Sequence, residues 1–228
     1  RLAVALQRQD RMDEAADQVE ELLGDPLRVA ENPALIEWLI RRRFDQEEYA
    51  GAQAAAEALA AHSGQAPWRQ IAWYWAGASR AALGREDEAI AAYEKAVAEE
   101  ARTREGAEAQ LLLAGLELKA GRPARAAERF AAAAEAADGE DSMDLRVRAY
   151  FGLGEAAEAA GEFDKAARHF MSVAVLFDDP EWTPHALFRA GGLFGKAGQA
   201  AERDAAWREL RERYPASGFA RQLEAAAP

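Results

Sequence analysis

An all-α solenoid of stacked helical hairpins is the fold class that this 228-residue sequence predicts, and three observations predict it. Punctuation points that end one helix and open the next recur at Asp10, Glu47, Gly84, Gly121, Gly161 and Gly198, at intervals of 37, 37, 37, 40 and 37 residues. A fixed period in this range marks units too small to bury their own apolar faces, which must stack on their neighbours. Between these points, apolar and small residues recur at steps of three and four, the spacing that gathers them on one face of a helix. Hydrophobic residues make up 50% of the chain, and many are alanine, the strongest helix former. The unbroken period predicts one array over residues 1–228, with about six repeats of about 37 residues.

The first repeat begins partway through its first helix, with Leu2, Ala3 and Leu6, and continues with Met12, Ala15, Val19 and Leu22. The second carries Ile36, Leu39 and Ile40, then Ala52, Ala56 and Leu59, with Glu47 in place of the turn glycine. The third is the clearest. Trp73, Ala76, Gly77 and Arg80 form its first helix, Leu83-Gly84 breaks it, and Ala89, Tyr93, Ala96 and Val97 form the second. Small residues such as Gly77 and Ala89 let two helices approach, and the large Trp73 and Tyr93 fill the space beside them. The fourth repeats this grammar with Leu113, Ala114, Gly121, Ala126, Phe130 and Ala133. The fifth has Tyr150, Leu153, Gly154, Gly161, Ala166, Phe170 and Val173. The sixth has Leu187, Ala190, Gly191, Phe194, Gly198, Trp207 and Leu210, with Arg203 where a small residue is expected. After it, Phe219 and Leu223 follow an N-cap residue type at Ser217, which predicts a short capping helix within residues 216–228.

Asp25-Pro26, Asn32-Pro33, Ser63-Gly64 with Pro67, and Asp178-Asp179-Pro180 read as breakers between units. Ala137 to Asp144 reads as an acidic irregular loop that absorbs the three extra residues of the long interval. Trp68 and Trp182 share a phase, five residues before the core positions Trp73 and Leu187, and read as staples over helix N-termini.

Chemistry is sparse. The formal net charge is −12, which opposes a phosphate backbone and argues against nucleic-acid binding. No cysteine is present, so disulfides, thiolate nucleophiles and cysteine zinc sites are excluded. No apolar run approaches the roughly 20 residues that a membrane span needs, so direct membrane insertion is not expected. His62, His169 and His185 lie on different units without the i, i+4 partner of a metal or catalytic pair. Gly152-Leu153-Gly154 and Gly191-Gly192 lie inside helices, not after strands, and are not phosphate loops. The expectation is no enzyme, no cofactor and no metal.

Trp73-x2-Ala76-Gly77 with Ala89-x3-Tyr93, and Tyr150-x2-Leu153-Gly154 with Ala166-x3-Phe170, together with Pro215 closing the last unit, resemble the tetratricopeptide repeat family. The resemblance covers essentially the whole chain and implies a right-handed superhelix whose first helices line a concave groove. It also implies that the fifth position of each unit points into that groove, which here reads Glu37, Tyr74, Leu111, Phe151 and Phe188. The ninth position reads Arg41, Ala78, Gly115, Glu155 and Gly192. An apolar stripe over small residues suits an amphipathic helix or an extended peptide. Burial of the same residues between repeats is the competing reading. Glu37, Arg41, Arg148, His185 and Lys196 form the expected polar rim. The family's chaperone-type carboxylate clamp is not expected, because the ninth positions hold no asparagine.

The expected function is a non-enzymatic scaffold that binds a protein or peptide segment. The alternative is a structural or self-association module of a larger chain, homo-oligomerisation included, and a ligand-sensing regulatory domain is a third. The Glu212 to Ser217 run resembles tetratricopeptide proteins of the bacterial cell envelope, which implies a periplasmic or envelope location. The first residue is Arg1 and the sequence opens in mid-helix, which reads as a fragment or processed product.

Overall fold

A computed structural model describes residues 11–99, 101–137 and 139–225. Leu2, Ala3, Leu6 and the punctuation point Asp10 lie outside the described residues. The chain divides into two compact units, Arg1–Ala109 and Gln110–Pro228.

The first unit contains α1 (Met12–Glu20), a 3-10 turn (Glu21–Gly24), α2 (Pro26–Glu31), α3 (Pro33–Asp45), α4 (Tyr49–His62), α5 (Ala66–Ala82) and α6 (Glu86–Ala98). The boundary falls within α7 (Arg104–Lys119). The second unit continues with α8 (Pro123–Ala136), a 3-10 turn (Glu140–Ser142), α9 (Met143–Ala159), α10 (Phe163–Leu176), α11 (Trp182–Lys196), α12 (Ala200–Arg213) and α13 (Gly218–Ala225). Among the described residues there is no strand.

Within each unit, successive helices pack in hairpins. In the first unit, α3 lies on α4, α4 on α5 and α5 on α6. In the second, α8 lies on α9, α9 on α10, α10 on α11 and α11 on α12, while α13 touches both α11 and α12. Ile36, Leu39, Ile40 and Leu59 form the heart of the first core, with Trp38, Trp73 and Trp75 against it. Val147, Phe151, Phe170, Leu193 and Phe194 form that of the second. Leu187, Leu210 and Ala220 make a smaller cluster that Phe219 and Leu223 of α13 help to cover.

The period has a backbone cause. Gly84, Gly121, Gly161 and Gly198 all take positive φ, between 70° and 77°, and Glu47 stands at 62°. A left-handed residue after the last helical turn lets the following amide reach back and cap orphan carbonyls. Arg85 N donates to Arg80 O at 2.9 Å and Gly84 N to Ala81 O at 2.9 Å, and Glu48 and Glu47 repeat the pair on Arg43 and Phe44. The close approach of helices is equally regular. A Cβ on Gly77 would stand 2.6 Å from Tyr93, and one on Gly154 would stand 2.8 Å from Phe170. Gly191 is met by Trp207 in the same way. In each case the ring comes sixteen residues later, from the second helix of the same hairpin.

Two local expectations are corrected. Asp25-Pro26 and Asn32-Pro33 are not linkers but helix starts, because proline at the first helical position needs no hydrogen-bonded amide. Asp25 Oδ1 accepts from Leu27 N at 3.0 Å, and α2 occupies the space between them. The acidic stretch up to Asp144 is also shorter than expected, since the 3-10 turn forms at Glu140–Ser142 and α9 opens at Met143.

Candidate functional site

On α9, Arg148, Phe151, Gly152 and Glu155 fall at i, i+3, i+4 and i+7, so they form one stripe along the helix. A cavity of about 440 Å³ opens over this stripe. Leu111 and Gly115 of α7 line it, with Phe130 of α8 and Trp182 and His185 of α11. All of these residues belong to the second unit.

The floor is a set of interlocked rings. Phe151 is edge-on to Phe170 at 4.8 Å between centroids and to Trp182 at 5.1 Å, and it leans on His185 at 4.7 Å. The other face of His185 stacks on Phe219 of α13, 4.6 Å away and 5° from parallel. Phe130 lies against Gly152 so closely that a Cβ there would collide with its ring.

Polar groups line the cavity as well. Arg148, Glu155 and His185 are half-buried. Burial pushes the Glu155 carboxyl above its ordinary value, and Arg189 only partly offsets this, with Nη1 3.7 Å from Oε1. Arg189 is committed elsewhere. It donates to Glu158 Oε2 at 2.5 Å and lies 4.7 Å over the Phe170 ring. Against its own desolvation, Glu158 is held below the usual carboxylate range by Arg189 and by Lys196, whose Nζ is 3.0 Å away. Burial, and then the charge of Arg189, lower the His185 imidazole below its ordinary value.

Five of the residues expected from the repeat phase therefore meet in one place: Leu111, Arg148, Phe151, Glu155 and His185. The expected exposed stripe is corrected at two of them. Leu111 is 6% exposed and Phe151 4%, and the Trp182 ring closes over Phe151. Phe188 is half-buried against Phe219, 5.5 Å between centroids, while Gly192 has nothing within 4 Å of the place a Cβ would take. In the first unit, Arg41 donates to Glu37 at 2.7 Å and to Glu105, and lies 5.2 Å over the Trp75 ring. Burial, and then the nearby Glu108, raise the half-buried Tyr74 phenol far above its ordinary value. Arg41 is thus paired within the first unit.

Trp182 was readable only as a staple, and it is also a wall of the cavity. Its phase, six residues before the fifth position, is the available signal. Phe130 and Gly152 carried none, because contact between the second helix of one repeat and the first helix of the next has no marker within either repeat.

Glycine supplies a further contrast. Gly77, Gly106, Gly152, Gly154 and Gly191 lie within helices and are each met by a side chain that leaves no room for a Cβ. At Gly115 the Cβ would meet nothing within 4 Å, although the residue lies in mid-helix on the cavity wall. A glycine there costs about 1 kcal/mol relative to alanine, and no packing in the second unit requires it.

Residues 71–101, the third hairpin of the sequence, match the family model described as tetratricopeptide repeat. The chain contains a tetratricopeptide repeat. The solved structures extend the likeness of fold along the rest of the chain. BtubC (BKLC) from P. vanneervenii superposes with a TM-score of 0.66 at 17% identity, covering 98% of this chain and 94% of its own. YrrB, a tetratricopeptide-repeat protein described as having an unusual peptide-binding site, gives 0.62 at 17% identity, over 91% and 96% of the two chains. MamA gives 0.60 at 17% identity, over 80% and 91%. No curated protein sequence matches the chain. Among the described residues no group of His, Asp or Glu side chains is arranged to hold a metal ion, and no helix is long and apolar enough to cross a membrane.

Proposed function

We propose that this protein is a non-enzymatic scaffold that binds a peptide or protein segment, and that the cavity over α9 is where the segment docks. Tetratricopeptide-repeat proteins bind protein or peptide partners, and YrrB, which shares the fold, carries a peptide-binding site. The observation that carries the reading is Gly115. An unpacked glycine within a helix, on the wall of a cavity floored by aromatic rings, is a cost without a return inside the second unit. A backbone approaching from outside uses that space. The volume falls in the lower part of the roughly 300 to 1,000 Å³ typical of ligand pockets.

The test is a displayed library of random linear peptides panned on the wild-type protein and on Gly115→Phe. The new ring enters open space, so the variant should melt like wild type while losing the retained peptides. Sequences held equally by both proteins would remove the cavity as the site, and a library from which nothing is retained would remove the reading itself.

A further inference from the structure

The two ionisable residues of α9 that line the cavity are opposite in charge. Arg148 and Glu155 are seven residues apart, about 10 Å along the helix axis, with Phe151 and Gly152 between them. A ligand lying along this stripe meets a cation, then an aromatic floor, then a carboxylate. In an extended chain alternate side chains share a face at about 3.3 Å per residue, so positions i, i+2 and i+4 span about 13 Å on one side. Flexible side chains at both ends close the difference from the 10 Å or so on α9.

Resting on the peptide-binding reading above, we infer that the cavity selects an extended segment with an acidic residue, a bulky apolar residue and a basic residue at alternate positions, the acidic end at Arg148 and the basic end at Glu155. The central side chain enters between Gly115 and the Phe151 ring, where no Cβ obstructs it. Glu155 is the more demanding end. Its contact with Arg189 is long, 3.7 Å, and that guanidinium also serves Glu158, so the half-buried carboxylate keeps capacity for a ligand cation. Charges arranged in this order set the direction of the bound chain, since the reversed order places like charges together at both ends.

Fluorescence anisotropy with labelled, end-blocked pentapeptides tests the inference. Glu-Ser-Trp-Ser-Lys should bind at least about tenfold more tightly than the composition-matched Lys-Ser-Trp-Ser-Glu, a difference of about 1.4 kcal/mol, and more tightly than Glu-Ser-Ala-Ser-Lys. Glu155→Gln should shrink the preference between the two charge orders. The double variant Arg148→Glu, Glu155→Arg should invert it. Should the double variant melt early, Glu155→Gln decides alone, because it removes a charge that burial already disfavours. Equal affinity for the two charge orders, or an undiminished preference in Glu155→Gln, would overturn the inference. Panned peptides that bind wild type, fail on Gly115→Phe and lack the charge order would overturn it while leaving the docking function intact; retention of no peptide at all sinks both.

Discussion

Glu47 stands where the later repeats place glycine, and it holds φ at 62° with a side chain attached. A Cβ in that conformation crowds the following carbonyl at a cost of about 1 to 2 kcal/mol. Because Glu47 is exposed, the side chain recovers nothing by packing. Glu47→Gly should therefore raise stability by about 1 kcal/mol, read as a shift of a few degrees in a thermal melt. An unchanged or lowered midpoint would show that the carboxylate contributes an attraction that offsets the strain. Glu155 offers a second test, with a pH signature. Its folded pKa is raised by burial, so the folded state favours the protonated form. The destabilisation is absent at pH values below the ordinary carboxylate range, grows as pH rises through it, and is complete above the raised folded value. Glu155→Gln should thus be at least as stable as wild type at neutral pH, with the gap closing as the solution is acidified. Denaturant melts at pH 7 and near pH 4 check the sign; a variant less stable than wild type at pH 7 alone would mean the Arg189 contact outweighs burial.

Along α9 and its neighbours, glycines divide by what faces them. Gly154→Ala forces a Cβ to within 2.8 Å of the Phe170 ring, so it should destabilise despite its better helix propensity. Gly115→Ala meets open space and should stabilise by about 1 kcal/mol. Opposite signs for the same substitution in paired melts are the expected result, and equal signs would mean propensity alone governs both sites. The fifth positions divide in the same manner. Phe151 is packed among three aromatic side chains and His185 belongs to that floor, so Phe151→Ala should cost about 3 to 5 kcal/mol. Phe188, half-buried and covered by one ring of α13, should cost less. Equal losses in the two melts would place both residues in the same packing environment.

Within the second unit, packing runs from α8 through α9, α10 and α11 to α12, so stability passes between neighbours. Helix α13 is one such neighbour. Ser217 Oγ accepts from Ala220 N at 3.1 Å at its start, Phe219 stacks on His185, and Leu223 covers the Leu187 and Leu210 cluster. Deleting residues 216–228 should lower hydrogen-exchange protection first around Phe194 and Trp207 and leave α3 to α5 unchanged. Uniform loss across the chain would show cooperative rather than local coupling. Loss of α13 also strips one face from His185, so the cavity wall should loosen with it.

The sequence by itself determined the helical repeat. Glycine at the left-handed position and small residues facing rings sixteen positions later are local demands, and they are legible because the same backbone geometry recurs every 37 residues. It also placed Arg148, Phe151, Glu155 and His185 at related phases, since position in a repeat indicates which face of a helix a residue occupies. The tertiary structure alone decided that Phe151 and Leu111 are floor and wall of a cavity rather than an exposed stripe, and that Trp182, Phe130 and Gly152 join them. It also decided that Pro26 and Pro33 begin helices instead of separating units. These outcomes depend on how closely one repeat lies on the next, and that spacing is set by the combined volumes of side chains from four helices, which no period within a single chain segment encodes.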